Sequence, residues 1–221
     1  MWNNTVIMML IEGTWVTIYM TLLSTLIAYL IGVPVGITLV VTAPAGLRPH
    51  PFVYKICDFI VNILRSIPFL ILLILIIPLT RFLVGRSYGP AATIVPLSIA
   101  AAPFVARLVE SSLLEVDHGV IEAAQSMGAS LWTIIWKVLL AEARTSLIVG
   151  ATISLATILG YSAMAGAVGG GGLGDIAIQY GYYRYQTDIM VVTVVLLVLL
   201  VQLMQYAGNR ISRKMDKRIT G

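Results

Sequence analysis

The chain has 221 residues, 59% of them hydrophobic and only 11% charged, with a formal net charge of +4 and a mean hydropathy of +0.95. That balance excludes an ordinary water-soluble domain, in which charged residues make up about a quarter of the total. One cysteine, Cys57, excludes an intrachain disulfide, and His50 and His118 lack the spacing that metal sites require.

A membrane-crossing helix needs roughly 20 apolar residues to traverse about 30 Å of hydrocarbon. Five segments meet that requirement: 14–41, 61–83, 91–109, 145–168 and 189–206. Backbone polar groups must be paired internally in lipid, so helices are expected in all five. The expected fold is an all-α integral membrane protein, a single transmembrane domain over 1–221 with five spanning helices. The first stretch is read as a retained helix rather than a secretory signal. No Lys or Arg precedes it, and it runs well past a signal's apolar core.

Within the first span, Gly32 and Gly36 lie four apart around Pro34. Small residues at that spacing let two helix backbones approach closely, and the proline predicts a kink. The second span opens with Asn62-Ile63-Leu64-Arg65-Ser66-Ile67-Pro68-Phe69. Pro68 removes a helix hydrogen bond. The broken turn is either a packing kink or part of a pathway lined by Ser66 and Pro68. Arg65 and Arg107 fall near the ends of their spans, where long side chains can snorkel to the interface. Arg107 and Glu110, three apart, are neighbours on a helix.

A polar insert over 117–141 separates the third and fourth spans. Asp117 predicts an N-cap, Glu122-Ala123-Ala124 a short helix, and Gly128 a left-handed C-cap. Ser130 then caps a second helix carrying Leu131, Ile134, Ile135, Val138 and Leu139 on one stripe. The result is a compact helical knuckle that another protein can grip. The insert resembles the coupling segment of ABC-importer permeases, whose pattern is Glu-Ala-Ala, three residues, Gly, nine residues, then Ile-x-Leu-Pro. Glu122, Ala123, Ala124 and Gly128 match it. Val138 stands for the isoleucine, Leu140 for the leucine and Ala141 for the proline.

The fourth span ends in Gly160-Tyr161-Ser162-Ala163-Met164, and four glycines, 169–172, follow. Small residues permit close helix contact, and a flexible thioether such as Met164 can plug a narrow gap. Tyr161, Ser162 and Met164 are thus gate candidates, with ordinary packing the competing reading. The glycine run suggests a hinge or a close protein contact. The aromatic segment 180–185 is either an interfacial belt or a docking rim for an extracytoplasmic partner, with Gly171, Tyr180 and Tyr182 as contacts. The C-terminal cations Arg210, Arg213, Lys214, Lys217 and Arg218 mark the cytoplasmic end and suit a lipid-headgroup anchor. An odd number of spans then puts the N-terminus outside.

Several chemistries are missing. No Gly-x-x-x-x-Gly-Lys-Ser/Thr occurs, so any ATP must bind a separate subunit. Glycines 169, 171 and 174 fit Gly-x-Gly-x-x-Gly, but they follow a membrane span rather than a strand, so no dinucleotide site is expected. No catalytic residue, cofactor site or metal site is expected, and no nucleic-acid partner. The span centres hold no ionisable group, which argues against an ion-coupled secondary carrier, the rival reading of a different class.

Ile94-Val95-Pro96-Leu97, Ala101-Ala102-Pro103-Phe104-Val105-Ala106-Arg107, Arg65-Ser66-Ile67-Pro68-Phe69 and Gly160-Tyr161-Ser162-Ala163-Met164 sharpen the resemblance. In this order, with the knuckle, the chain resembles the permease family of the bacterial methionine ABC importers. The resemblance implies a type I importer in the bacterial inner membrane: two copies of the permease, two ATPase subunits that bind ATP and magnesium, and an extracytoplasmic methionine-binding lipoprotein. It implies ATPase coupling through Glu122, Ala123, Ala124, Gly128, Leu131, Val138 and Leu140. Another amino acid or a small peptide is the alternative cargo.

Overall fold

Helices account for most of residues 3–215, the part of the chain that the computed structural model describes, and no strand occurs among them. Lys217 and Arg218 of the basic tail lie outside the described residues. Helix α1 spans Asn4–Thr42 and starts well before residue 14, because the Asn3 side chain accepts from the Val6 amide at 3.0 Å and caps its first turn. Along α1, the hydroxyls of Thr14, Thr17, Thr25, Thr38 and Thr42 each donate to the carbonyl four residues earlier, at 2.7–2.8 Å. These five hydroxyls are thereby satisfied without water, which makes them compatible with a spanning helix.

The expected second span does not form one helix. Helix α2, Pro51–Ser66, stops before Pro68, whose ψ of 134° is extended, and α3, Phe69–Leu75, restarts after it. Helix α4 follows at Ile77–Val84 and ends on Gly85 in the left-handed conformation. Next come α5, Pro90–Leu114, and α6, His118–Ser126. The stretch after Ser130 is α7, Leu131–Thr133, a π-helical turn at Ile134–Leu139, and α8, Leu140–Glu142. Helix α9, Arg144–Ala165, passes through a 3₁₀ turn, Gly166–Val168, into the short α10, Gly172–Ile176, and a π-helical turn, Ala177–Tyr182. Helix α11, Thr187–Met215, completes the described chain. Four of these helical stretches are long and apolar enough to cross a membrane. A fifth crossing arises if α2 and α3 count as one span.

Contacts divide the chain into two compact units. The first comprises residues 1–28, 67–101 and 154–205. Its core is Leu10, Leu173, Ile176 and Ile189, with Met9 and Val192 packed around them. Within the glycine run, positions 170–172 make close contacts. Gly171 and Gly172 have φ of 84° and 75°, and a Cβ on Gly172 would lie 2.6 Å from Thr17 Oγ1. Gly174 packs against the Ala163 carbonyl. Only residues without side chains fit such approaches.

The second unit comprises residues 29–66, 102–153 and, among the described residues, 206–215. Gly32 and Gly36 seat α1 against α5, where a Cβ would come within 2.8 Å of the Ala102 carbonyl or 2.7 Å of the Ala106 carbonyl. Beside that seam, Leu39, Val61 and Ala106 form a core with Val35, Tyr54 and Cys57. Arg107 is paired within the unit. Its Nη1 donates to Glu110 Oε2 at 2.6 Å, and its Nη2 donates to Asp58 and to Asn62 Oδ1 at 2.9 Å. This partly exposed charge is held by two carboxylates and an amide.

Candidate functional site

The knuckle is built by local chemistry. Asp117 Oδ1 accepts from the Gly119 amide at 2.8 Å and caps α6. Gly128, at φ 76°, closes the helix: the amides of Met127, Gly128 and Ala129 reach back to the carbonyls of Ala123, Gln125 and Ala124. Ser130 Oγ then accepts from the Thr133 amide at 3.2 Å and starts α7. The apolar stripe turns inward at Ile134, Ile135 and Leu139, which are 3%, 7% and 1% exposed. Leu131, Val138 and Leu140 are half-buried at its edges.

The Glu-Ala-Ala triplet splits. Glu122 and Ala123 are exposed, whereas Ala124 is buried against the chain itself. Glu122 Oε1 lies 3.4 Å from His118 Nδ1, one helical turn away. The outward face carries three large apolar side chains that sequence reasoning missed: Met127, Trp132 and Trp136, at 81%, 69% and 51% exposure. The two indoles pack together with centroids 5.3 Å apart. Their i, i+4 spacing was the available signal, since it places both on the flank of the buried stripe. Beside the knuckle a cavity of about 400 Å³ is lined by Ser112, Glu115, Asp117, Glu142 and Ser146. The site thus offers a small-residue helix, an exposed aromatic patch, and acids on one side. Such a surface can dock a protein.

The gate and docking candidates are distributed differently. Pro68, Tyr161, Ser162 and Met164 belong to the first unit and Ser66 to the second. Pro68 places Phe69 so that its ring stacks on Tyr161, with centroids 4.5 Å apart and planes 4° from parallel. Sequence alone gave no hint of that pairing. Met164 is exposed, while Ser162 is buried and donates to the Leu159 carbonyl at 2.7 Å. Ser162 therefore faces its own unit's interior. Ser66 Oγ is engaged with the Asn62 carbonyl at 2.8 Å.

Among the docking candidates, Gly171 is half-buried against Pro90, and Tyr182 is exposed. Tyr180 lies beneath the Arg184 guanidinium at 4.4 Å. Asp175, in α10, has one carboxylate oxygen buried without a hydrogen-bond partner. Burial pushes its carboxyl above the usual range, and a hydrogen bond from Gln179 works against that shift. Among the described residues, no three His, Cys, Asp or Glu side chains converge as metal ligands.

Comparison with known proteins gives this geometry a context. The model of the family described as binding-protein-dependent transport system inner membrane component matches residues 32–220. The probable D-methionine transport system permease protein MetI of Vibrio cholerae is 50% identical over 210 residues, which is 95% of this chain and 93% of that one. The methionine import system permease protein MetP of Bacillus subtilis is 48% identical over 207 residues, 94% of this chain and 93% of that protein. A solved structure of the MetNI methionine ABC transporter in an inward-facing conformation superposes with a TM-score of 0.96. It is 49% identical and covers 98% of this chain and 100% of its counterpart. The matches run through the spans and the knuckle alike, and the chain belongs to the family of binding-protein-dependent transport system inner membrane components.

Proposed function

We propose that the chain is the transmembrane permease of an ATP-driven importer of D- and L-methionine. Two copies form the pathway, and each is driven by a separate ATPase subunit that holds the nucleotide. A methionine-binding protein delivers cargo from outside. One observation carries the reading: 49% identity at a TM-score of 0.96 to the permease of a methionine ABC transporter, end to end.

The mechanism follows from the knuckle. With the C-terminus cytoplasmic and the N-terminus outside, α6 lies on the ATPase side. Glu122 and Ala123 face the partner, Ala124 ties α6 to its own chain, and Gly128 keeps the surface low enough for close approach. Trp132 and Trp136 add apolar area of the kind that dominates protein contacts. Closure of two ATPases on nucleotide displaces the paired knuckles, and α5 and α9, which lead into and out of each, move as rigid rods. That motion alternates access, with Met164 and the Phe69–Tyr161 stack as the gate elements and Gly171, Tyr180 and Tyr182 as the outer contacts.

Proteoliposomes test the proposal. Labelled methionine uptake should require the ATPase, the binding protein and ATP, and an ion gradient should not replace them. Gly128→Arg should insert normally and abolish uptake while ATP hydrolysis continues. Gradient-driven uptake by the chain alone, or full uptake by the variant, would overturn the assignment.

A further inference from the structure

We propose that the C-terminal end of α11 binds the headgroup of an anionic phospholipid in a groove formed by Tyr206, Asn209, Arg210, Arg213 and Lys214. The groove is open and has a volume of about 490 Å³. At 100° per residue, positions 206, 210 and 213 fall within about 60° of one another on the helix wheel, and 208 and 212 point the opposite way. The structure follows this division. Gly208 packs against Thr152, and Ser212 is 6% exposed, so that face is docked on the protein. Tyr206, Asn209, Arg210, Arg213 and Lys214 are exposed on the other.

Three observations select a lipid. Helix α11 is the least buried of the spanning helices, with 11% of its most apolar window covered, so this helix meets the bilayer. Tyr206 closes its apolar run, the position at which a tyrosine ring lies level with headgroups. The Tyr206 hydroxyl accepts from Arg210 Nη1 at 2.8 Å, which holds the guanidinium at that level with its remaining donors free for a phosphate. The charge balance agrees: residues 207–221 carry five Lys or Arg and a single acid, Asp216. Among the described residues, none of Arg210, Arg213 and Lys214 forms an ion pair. Arg213 and Lys214 lie in the last turn and also offset the negative end of the helix. Arg210, one turn earlier, therefore holds the ligand most directly.

The inference requires only that the chain be a membrane component, so it stands apart from the transport proposal. The full chain with its ATPase, purified in detergent, is incubated with equimolar phosphatidylglycerol and phosphatidylcholine and weighed by native mass spectrometry. Phosphatidylglycerol should be retained preferentially, and Arg210→Gln should lower that retention about fivefold, the effect of one cation near a lipid surface. Arg210→Gln with Arg213→Gln should lower it more than tenfold, and Arg210→Lys should restore most of it. Arg86→Gln, which removes an exposed cation elsewhere, should change nothing. Equal retention of the two lipids would overturn the proposal. So would an equal loss with Arg86→Gln, complete displacement by 10 mM inorganic phosphate, or release of the ATPase rather than of lipid by Arg210→Gln.

Discussion

Gly36→Ala tests the seam on which the second unit depends. The new methyl would lie 2.7 Å from the Ala106 carbonyl oxygen and 2.8 Å from Val109 Cβ. One atom is backbone and the other a branched side chain's root, so neither can move without moving α5. Overpacking of this kind costs roughly 1–3 kcal/mol. Alanine's better helix propensity offsets about 1 kcal/mol of that. Gly150→Ala supplies the matched control: it too lies inside a long helix of the same unit, and its methyl would meet Leu108 Cβ at 3.6 Å, an ordinary contact. The propensity gain is common to both variants and cancels. Gly36→Ala should therefore be less stable than Gly150→Ala by roughly 1–3 kcal/mol. Reversible unfolding of the purified chain in mixed micelles, followed by helicity, measures the difference. If the two variants unfold at the same denaturant concentration, α1 and α5 do not approach as closely as argued.

Removing both indoles of the knuckle, Trp132→Ala with Trp136→Ala, should weaken ATPase association by about 2 kcal/mol, roughly 30-fold in Kd, because aromatic anchors dominate such contacts; an unchanged affinity in a pull-down titration rejects the aromatic patch. Asp117→Ala removes the α6 cap, which costs about 1 kcal/mol, and should speed amide exchange across α6 about fivefold; unchanged exchange would show that the cap is idle. Asp175 has its carboxyl raised above the ordinary 3.8 by burial, so the folded state prefers the protonated form. Packing of α10 should weaken as pH rises from about 4 through the raised value. Asp175→Asn should flatten that dependence in amide exchange over residues 172–182, and an unaltered profile would count against it.

What could be read from the sequence follows from what local physics decides. Asp117, Gly128 and Ser130 act on their own neighbours, so both caps and the glycine turn between them were legible. Gly32 and Gly36 were legible as a contact, although not its partner, because spacing reveals a seam and not the opposing helix. Pro68 was ambiguous: a proline in an apolar run can kink or break, and the stack of Phe69 on Tyr161 that accompanies the break joins residues 92 apart in sequence. The same distance problem hid Asp58 as the partner of Arg107, 49 residues away. Glycines 169–172 read as either a hinge or a close contact, because nothing local announces Thr17. Trp132 and Trp136 were passed over because an aromatic at helical spacing looks the same whether buried or exposed.

The helix breaks divide according to how their backbone groups are satisfied, and that division matches the two kinds of task. At 126–130 the freed amides turn back on their own helix, and side-chain caps from Asp117 and Ser130 complete the motif. These hydrogen bonds call on no distant residue, so the polar accounting of the turn is complete on its own face. At 166–173 the accounting is tertiary. The Gly169 and Gly170 amides do return to Gly166 and Ala165, but the Gly169 carbonyl accepts from Gly89, the Gly170 carbonyl from Thr93 Oγ1, and the Leu173 amide donates to Thr17 Oγ1 at 2.9 Å. Irregular backbone at a membrane span survives only where protein groups replace water. This second break is therefore welded to α1 and α5, and any change in those helices reaches it. A docking surface benefits from independence, and an element that must respond to moving spans benefits from being tied to them. The sequence achieves the first with caps and the second with four glycines and two threonines.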